Sequence, residues 1–452
     1  MKRTKTHTLP SEEQLDTAVN LYDRGILDRL HSILEPLFGH GPYLIITDGT
    51  IWKAVGNRFA NFFEHEPGTA LYVLPSFPPP YAADTLLANI SAMLATAGAI
   101  PVALGSGTIN DLVKRASFEN SIRYVCIPTA PSVDGFTSFG AAITVEGFKT
   151  TLECPPPLCV VADEDIIVNA PVGLIASGYG DIMAKLLGGA DWIIADAMGI
   201  EAIDPDVWKL AQDAAVALFP RGKEIHEGSP EAISILYKGL ISTGLAIQRY
   251  KDSRPASGTE HLLSHTWEML HCSGDMEAFS HGFKVAVGSL ISSAFMSELF
   301  GEKGVLRAFI EQNGFSPHED LLRYRLGIAD LLEAEGPLKT KIVDTIAAKT
   351  PSELELHSRA ERARQVWPEL AKKVVRQIPV FPDLKKAFSD ASCPTEPGQI
   401  GLSRSDCIKS LKIASLIRRR YTVLDLASEL GALDAAADIV FSSKYFTDFA
   451  QE

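Results

Sequence analysis

Cysteine is scarce, with six in 452 residues (Cys126, Cys154, Cys159, Cys272, Cys393 and Cys407), and no two are spaced as a CxxC pair. That is too few and too scattered for a disulfide scaffold, and it offers no thiolate metal site, so reduced cytoplasmic thiols are expected. Long hydrophobic runs are also missing. The most membrane-like stretch, Phe283 to Phe300, is interrupted by Lys284, Glu298 and several serines, whereas a spanning helix needs about 18 or more mostly apolar residues. The start, Met1-Lys2-Arg3-Thr4-Lys5-Thr6-His7, runs into Pro10-Ser11-Glu12-Glu13 without the apolar core of a signal peptide. The expectation is a soluble, cytoplasmic protein with no membrane insertion. Positive charge is in deficit: 42 Lys and Arg against 56 Asp and Glu give a formal net charge of −14. That balance argues against a nucleic-acid partner and obliges any anionic substrate to find a local basic site.

What is present is ordinary for a globular chain: 46% hydrophobic and 22% charged residues. At roughly 150 residues per domain the length allows about two to three domains. Short apolar runs at Tyr43–Thr47, Ala70–Leu74, Ile100–Leu104 and Tyr124–Ile127 have the form of strands buried on both faces of a parallel sheet. Between them lie helical patterns such as Ala82 to Ala97, so βαβ units are expected. Ala141–Val145 and Lys149–Leu152, with Gly147 between them, suggest a hairpin, followed by a run at Cys159–Ala162. After Pro171 the patterns become amphipathic and long: Ile175 to Trp192, Pro205 to Leu218, Pro230 to Arg249, Glu260 to Met269 and His281 to Phe300. The predicted organisation is an α/β nucleotide-binding domain with a parallel sheet over residues 1–172, then an all-helical metal and substrate domain over 173–452. From about residue 314 a helical extension is expected to pack on the second domain.

Strand Val102-Ala103-Leu104 leads into Gly105-Ser106-Gly107-Thr108-Ile109-Asn110-Asp111. Glycines let a backbone approach a pyrophosphate, and a helix start offers it N–H groups. Asn110 stands where the G-x-G-x-x-G fingerprint wants its third glycine, so an ordinary strand-to-helix turn remains the alternative. A second loop, from Pro128 through Thr129, Ser132, Asp134 and Ser138, concentrates hydroxyls and a carboxylate after another buried strand. In open α/β sheets that edge binds ligands, although such a loop can also satisfy its own backbone. Asp48 ends the first run and suits either a ribose hydroxyl or a helix cap.

The helical part carries the strongest chemical signal. Ser257-Gly258-Thr259-Glu260 reads as an S-x-x-E capping box, which starts a helix at Ser257 and puts His261 in its first turns. His265 follows at i+4 on the same face. His281 heads another apolar helix, and Asp181 opens the first helix after the domain change. Two imidazoles and one carboxylate leave a fourth position on a cation for a substrate oxygen, as at catalytic zinc. Packed or solvated histidines are the bland alternative. The pattern lacks the Glu after the first His that H-E-x-x-H proteases require.

Together these residues resemble the superfamily of iron-containing alcohol dehydrogenases, glycerol dehydrogenases and dehydroquinate synthases. The stretch Ser253 to Met269, with Gly178-Tyr179-Gly180-Asp181, Val133-Asp134-Gly135 and Ala162-Asp163-Glu164-Asp165-Ile166-Ile167, is most similar to sn-glycerol-1-phosphate dehydrogenases. The resemblance covers about residues 40 to 300. It implies a dehydroquinate synthase-like fold with Asp181, His261 and His281 as metal ligands. Gly105, Ser106, Gly107 and Asp111 would match the family's G-G-G-x-x-x-D cofactor loop, Ser106 replacing its middle glycine. Asp48, Thr129, Ser132 and Ser138 would join them on the nicotinamide nucleotide. Asp134 and Arg254 would meet the substrate, and His265 and Asp134 would be catalytic. The cofactors implied are NAD or NADP and one divalent metal, zinc first, then iron or nickel. The partner implied is a small phosphorylated substrate, with a homo-oligomer expected. The activity implied is reduction of dihydroxyacetone phosphate to sn-glycerol 1-phosphate and its reverse. The alternatives are a polyol dehydrogenase of the same superfamily, a dehydroquinate synthase-like lyase, and a scaffold whose histidines merely pack.

Overall fold

The structure, a computed structural model, describes residues 17–146, 148–270, 279–332 and 337–449. Contacts divide the chain into two units. One comprises residues up to Gly178 together with Glu224–Ser253; the other comprises Tyr179–Lys223 and the residues from Arg254 onward. The helix Pro230–Tyr250 therefore groups with the sheet rather than with the helical part.

The first unit is built on β1 (Val19–Asp23), β2 (Tyr43–Asp48), β3 (Ala70–Leu74), β4 (Ile100–Gly105), β5 (Val125–Pro128), β6 (Ala141–Val145), β7 (Phe148–Leu152) and β8 (Cys159–Asp163). Six of them form one sheet in the order β1-β8-β5-β4-β2-β3, every pair parallel. β6 and β7 pair antiparallel as the expected hairpin, while Gly147 lies outside the described residues. Alternate residues Tyr43, Ile45, Val102, Leu104, Val125, Ile127, Cys159 and Val161 pack with Ile26, Leu30, Leu34, Phe59 and Phe62 in one buried cluster, as the period of two along a strand requires. β2 and β8 are buried throughout, and their sequences are apolar up to the Thr47-Asp48 and Asp163 that close them. β3 departs from that expectation. It is an edge strand with Leu71 and Val73 exposed. β1, the opposite edge, escapes the sequence pattern because its half-buried Val-Asn-Leu-Tyr-Asp is short and alternating.

From β2 the chain runs to β3 on one side and returns to β4 on the other. The switch point thus falls between β2 and β4, whose C-terminal ends carry Asp48 and Gly105. Crevices at such points are where open α/β sheets bind ligands.

The second unit contains the helices Pro205–Leu218, Thr259–Met269, His281–Phe300 and Glu353–Gln377, and the other elements among its described residues are helices as well. His281–Phe300 is the one helix among the described residues long and apolar enough to cross a membrane, and 89% of its most apolar stretch is buried inside the fold. It packs as a core helix. The segment after residue 314 is no appendage: Val423 N–H donates to Asp191 Oδ1 at 2.7 Å, and the Tyr421 carbonyl accepts from Arg254 at 2.9 Å. Asp425, fully buried, pairs with Lys349 at 2.7 Å, so this region supplies part of the unit's ionic core. Among the described residues the five cysteines are buried free thiols; Cys272 lies outside them.

Candidate functional site

Asp181 sits in the helix Val172–Ala197, His261 in the first turn of Thr259–Met269, and His281 is the first residue of His281–Phe300. Their ligating atoms all lie within 4.8 Å of one another, all inside the second unit. Close helix approach makes this possible. A Cβ on Gly180 would fall 2.3 Å from the Gly282 carbonyl oxygen, and one on Gly288 would fall 2.5 Å from the Glu260 carbonyl oxygen. Only glycine lets the three helices come near enough for side chains of ordinary length to converge.

The donors are held by their neighbours. His261 Nδ1 lies 2.8 Å from Glu260 Oε1, which also accepts from Gly258 N–H at 2.7 Å, and His261 Nε2 lies 3.5 Å from Asp181 Oδ1. A carboxylate on one ring nitrogen fixes the tautomer that directs the other nitrogen to a metal. Lys185, fully buried, donates from Nζ to Asp181 Oδ1 at 2.6 Å and to the Ala256 carbonyl at 3.1 Å. Burial opposes the charge on Asp181, but Lys185 and then His261 outweigh it and hold the carboxyl well below its usual range. Burial likewise opposes charge on His261, yet Asp181 and Glu260 raise its pKa. Burial, with repulsion from Glu260, pushes Asp191 up to about 7. One ionised carboxylate and two imidazoles, Asp181 and His261 buried and His281 half-buried, are a donor set that fits a divalent ion.

His265 lies beside this triad, its ring 6.1 Å from His281 and 6.5 Å from His261. Its Nδ1 is 3.7 Å from Glu268 Oε2, and Glu268 Oε1 is bridged by Lys284 Nζ at 2.5 Å. Two expectations need correction. Arg254 does not reach toward a substrate: it is fully buried, donates to the Asp191 and Tyr421 carbonyls at 3.0 and 2.9 Å, and pairs with Glu201 at 3.2 Å. Its Nη1, Nη2 and Nε are engaged inside the core by two main-chain carbonyls and a carboxylate rather than presented to a phosphate. The capping box is also absent. The helix begins at Thr259 with Gly258 as its N-cap, so Ser257 lies outside it, while Glu260 Oε1 both accepts from the Gly258 N–H and contacts His261. Sequence reasoning passes over Lys185, Glu268 and Lys284. Their signals were spacing alone: i+4 from Asp181, i+3 from His265 and i+3 from His281.

In the first unit, Ser106 precedes the helix Gly107–Glu119 without a side-chain cap. A Cβ on Gly105 would meet Ile109 at 2.8 Å, and one on Gly107 would meet Val133 at 2.9 Å, so the turn and the following loop are in close contact. Thr129 N–H donates to the Gly105 carbonyl at 3.2 Å. Ser132 is buried and its carbonyl accepts from Ser177 at 3.3 Å, while Ser138 Oγ donates to the Gly135 carbonyl at 3.0 Å. Asp134 is half-buried. Asp48 Oδ1 accepts from Thr50 and Ile51 N–H at 2.8 and 3.0 Å, the capping arrangement. Asp111 Oδ2 accepts from Ala142 N–H at 3.2 Å and its Oδ1 is 3.6 Å from Lys114, which turns this carboxylate toward the hairpin.

A family profile described as iron-containing alcohol dehydrogenase matches residues 22–171. Glycerol-1-phosphate dehydrogenase [NAD(P)+] of Hyperthermus butylicus is 30% identical over 268 residues, 59% of this chain and 74% of that protein. The chain belongs to the glycerol-1-phosphate dehydrogenase family, within the iron-containing alcohol dehydrogenases. The enzyme of the same description from Geobacillus thermodenitrificans is 37% identical over 190 residues, covering 42% of this chain and 47% of its own length. The chain spans about half the length of several of the curated relatives it matches. Among solved structures, a probable glycerol dehydrogenase from Sinorhizobium meliloti aligns with a TM-score of 0.60 at 14% identity, over 93% of this chain and 98% of that one, a likeness of fold. The parallel sheet followed by helices is the architecture expected of that group.

Proposed function

We propose that this chain reduces dihydroxyacetone phosphate to sn-glycerol 1-phosphate with NADH or NADPH, and catalyses the reverse. The observation that carries the proposal is the convergence of Asp181, His261 and His281 within 4.8 Å in a chain of this family. A divalent zinc, iron or nickel ion held there would supply Lewis acidity toward a carbonyl oxygen. The chain's own residues do the remaining work. Lys185 and Glu260 keep Asp181 and His261 in their orientations. His265, with its Nδ1 beside Glu268, would supply from Nε2 the proton that the substrate's carbonyl oxygen needs to become a hydroxyl. Asp134 hydrogen-bonds a substrate hydroxyl. The Gly105–Gly107 turn receives the pyrophosphate, and Asp48, Asp111, Thr129, Ser132 and Ser138 line the nucleotide. The hydride chemistry itself is the cofactor's.

Arg254's commitment to the core favours a second reading, a polyol dehydrogenase acting on a substrate without phosphate. A coupled assay separates the two: NADH and NADPH oxidation with dihydroxyacetone phosphate, with dihydroxyacetone, and with either after chelation. The expected result is oxidation that requires the phosphate and disappears on chelation. Equal turnover of dihydroxyacetone would select the polyol reading, and turnover of neither by metal-loaded protein would sink both.

A further inference from the structure

Lys114 has no part in the roles assigned so far, yet it is 1% exposed and surrounded by oxygen. Its Nζ donates to the Gly135 carbonyl at 2.9 Å, the Gly140 carbonyl at 3.0 Å, the Ser138 carbonyl at 3.1 Å and Ser138 Oγ at 3.3 Å. Asp111 Oδ1, 3.6 Å away, supplies the countercharge. Burying an ammonium is costly unless it is hydrogen-bonded and paired, and here residues 135–140 supply the acceptors while Asp111 supplies the pair. Carbonyl oxygens gathered around a positive charge are what a bound monovalent cation would have. The lysine brings that cation on a tether.

The tether is the helix Gly107–Glu119, which begins at the glycine turn. One turn before Lys114, Asn110 Nδ2 also donates to the Gly135 carbonyl at 3.1 Å and is held in turn by the Tyr124 hydroxyl at 3.0 Å. On its other side the loop is fastened by Thr137 Oγ1, which donates to the Ile241 carbonyl at 2.9 Å, and by Gln248 Nε2, which donates to the Thr137 carbonyl at 2.8 Å. We propose that Lys114 is a positioning residue for nicotinamide-nucleotide binding: its ammonium is a resident cation around which residues 135–140 wrap, locking Asp134 and Ser138 in register with the glycine turn. The inference rests on the function proposed above.

Full-length, metal-loaded protein tests it through the dissociation constant for NADH and NADPH, read from nicotinamide fluorescence. Lys114→Ala is expected to weaken binding by about tenfold or more, the scale of a lost charge-assisted hydrogen bond, with metal content unchanged. Propylammonium, which replaces the deleted atoms and their charge, is expected to restore most of the loss; propan-1-ol, of similar size and neutral, is not. Lys114→Gln, which keeps one donor, is expected to fall between the two. Dissociation constants within twofold of wild type, or equal rescue by the neutral alcohol, would overturn the proposal, as would failure of both variants to fold, since the lysine would then be a folding residue. Wild-type protein that binds neither dinucleotide would instead overturn the functional reading on which this rests.

Discussion

Around Gly105–Gly107 the first unit offers a ligand backbone groups, hydroxyls and small side chains drawn from adjacent loops, whereas around Asp181 the second unit offers buried charge collected from three separate helices. The first kind of site is built from a strand, a turn and a helix start, with the buried Lys114 ammonium bonded to the neighbouring loop. The second needs Lys185, Glu260 and Asp191 as well, because each buried ionised group must be paired or hydrogen-bonded. Substitutions should therefore be absorbed locally in the first unit and propagate through an ionic network in the second.

The largest effect is expected from His281→Ala, which removes one of three donors. Metal content should drop from one per chain to near zero and turnover by about a thousandfold, the several kcal/mol that Lewis-acid stabilisation supplies. Dinucleotide binding should persist, and its loss would show that the two sites are not built independently. The reverse variant, Gly105→Val, should cost dinucleotide affinity and leave metal content intact, since its side chain would strike Ile109 and Ile51. Next comes Arg254→Met. Taking the guanidinium from Glu201, Asp191 and Tyr421 should lower unfolding stability by about 3–5 kcal/mol, as for other broken buried pairs, and denaturant titration reads it. A folded, equally stable variant with a raised KM for the phosphorylated substrate would restore Arg254 to the substrate site.

A smaller effect is expected from Glu260→Gln: metal affinity weakened by about 10- to 100-fold, measured by competition with a chelating dye. An unchanged affinity would mean that the Glu260 contact to His261 orients nothing. The smallest effect is in pH dependence. A raised His261 pKa means that the metal-free native state binds its proton more tightly than the unfolded chain, so that contribution is complete below the ordinary imidazole value of about 6.5 and is lost as pH climbs through the raised value. A metal requires the neutral ring, so loaded protein follows the opposite trend. The gap in Tm between loaded and metal-free protein should widen as pH rises above about 6.5. A gap that narrows over that range would mean that His261 is not a ligand.

Much of this was legible in the sequence. β2, β4, β5 and β8 and the helices Pro205–Leu218 and His281–Phe300 stand almost where apolar periodicity puts them, because central strands and core helices are apolar for the reason that they are buried. The edges were less legible. β1 and β3 face solvent on part of their surface, so periodicity did not announce the first and misread the burial of the second. His261 and His281 stand at helix starts as their sequence context suggests, whereas Asp181, expected to open its helix, lies well inside Val172–Ala197. Glu260, by contrast, reads in sequence as half of a capping box and in the structure as the partner of His261. Arg254, which the sequence places with the substrate, has a partner at Tyr421, far along the chain, that takes it into the core.

The order of strands and helices and the glycine turn after β4 were written in the chain itself, since each depends on neighbours within a few residues. Which carboxylate serves which histidine, where Lys114 and Arg254 spend their charge, and whether the last part of the chain is core or appendage depended on groups far apart in sequence. A buried charge must find its partner in space, and only the packed structure brings the candidates within reach.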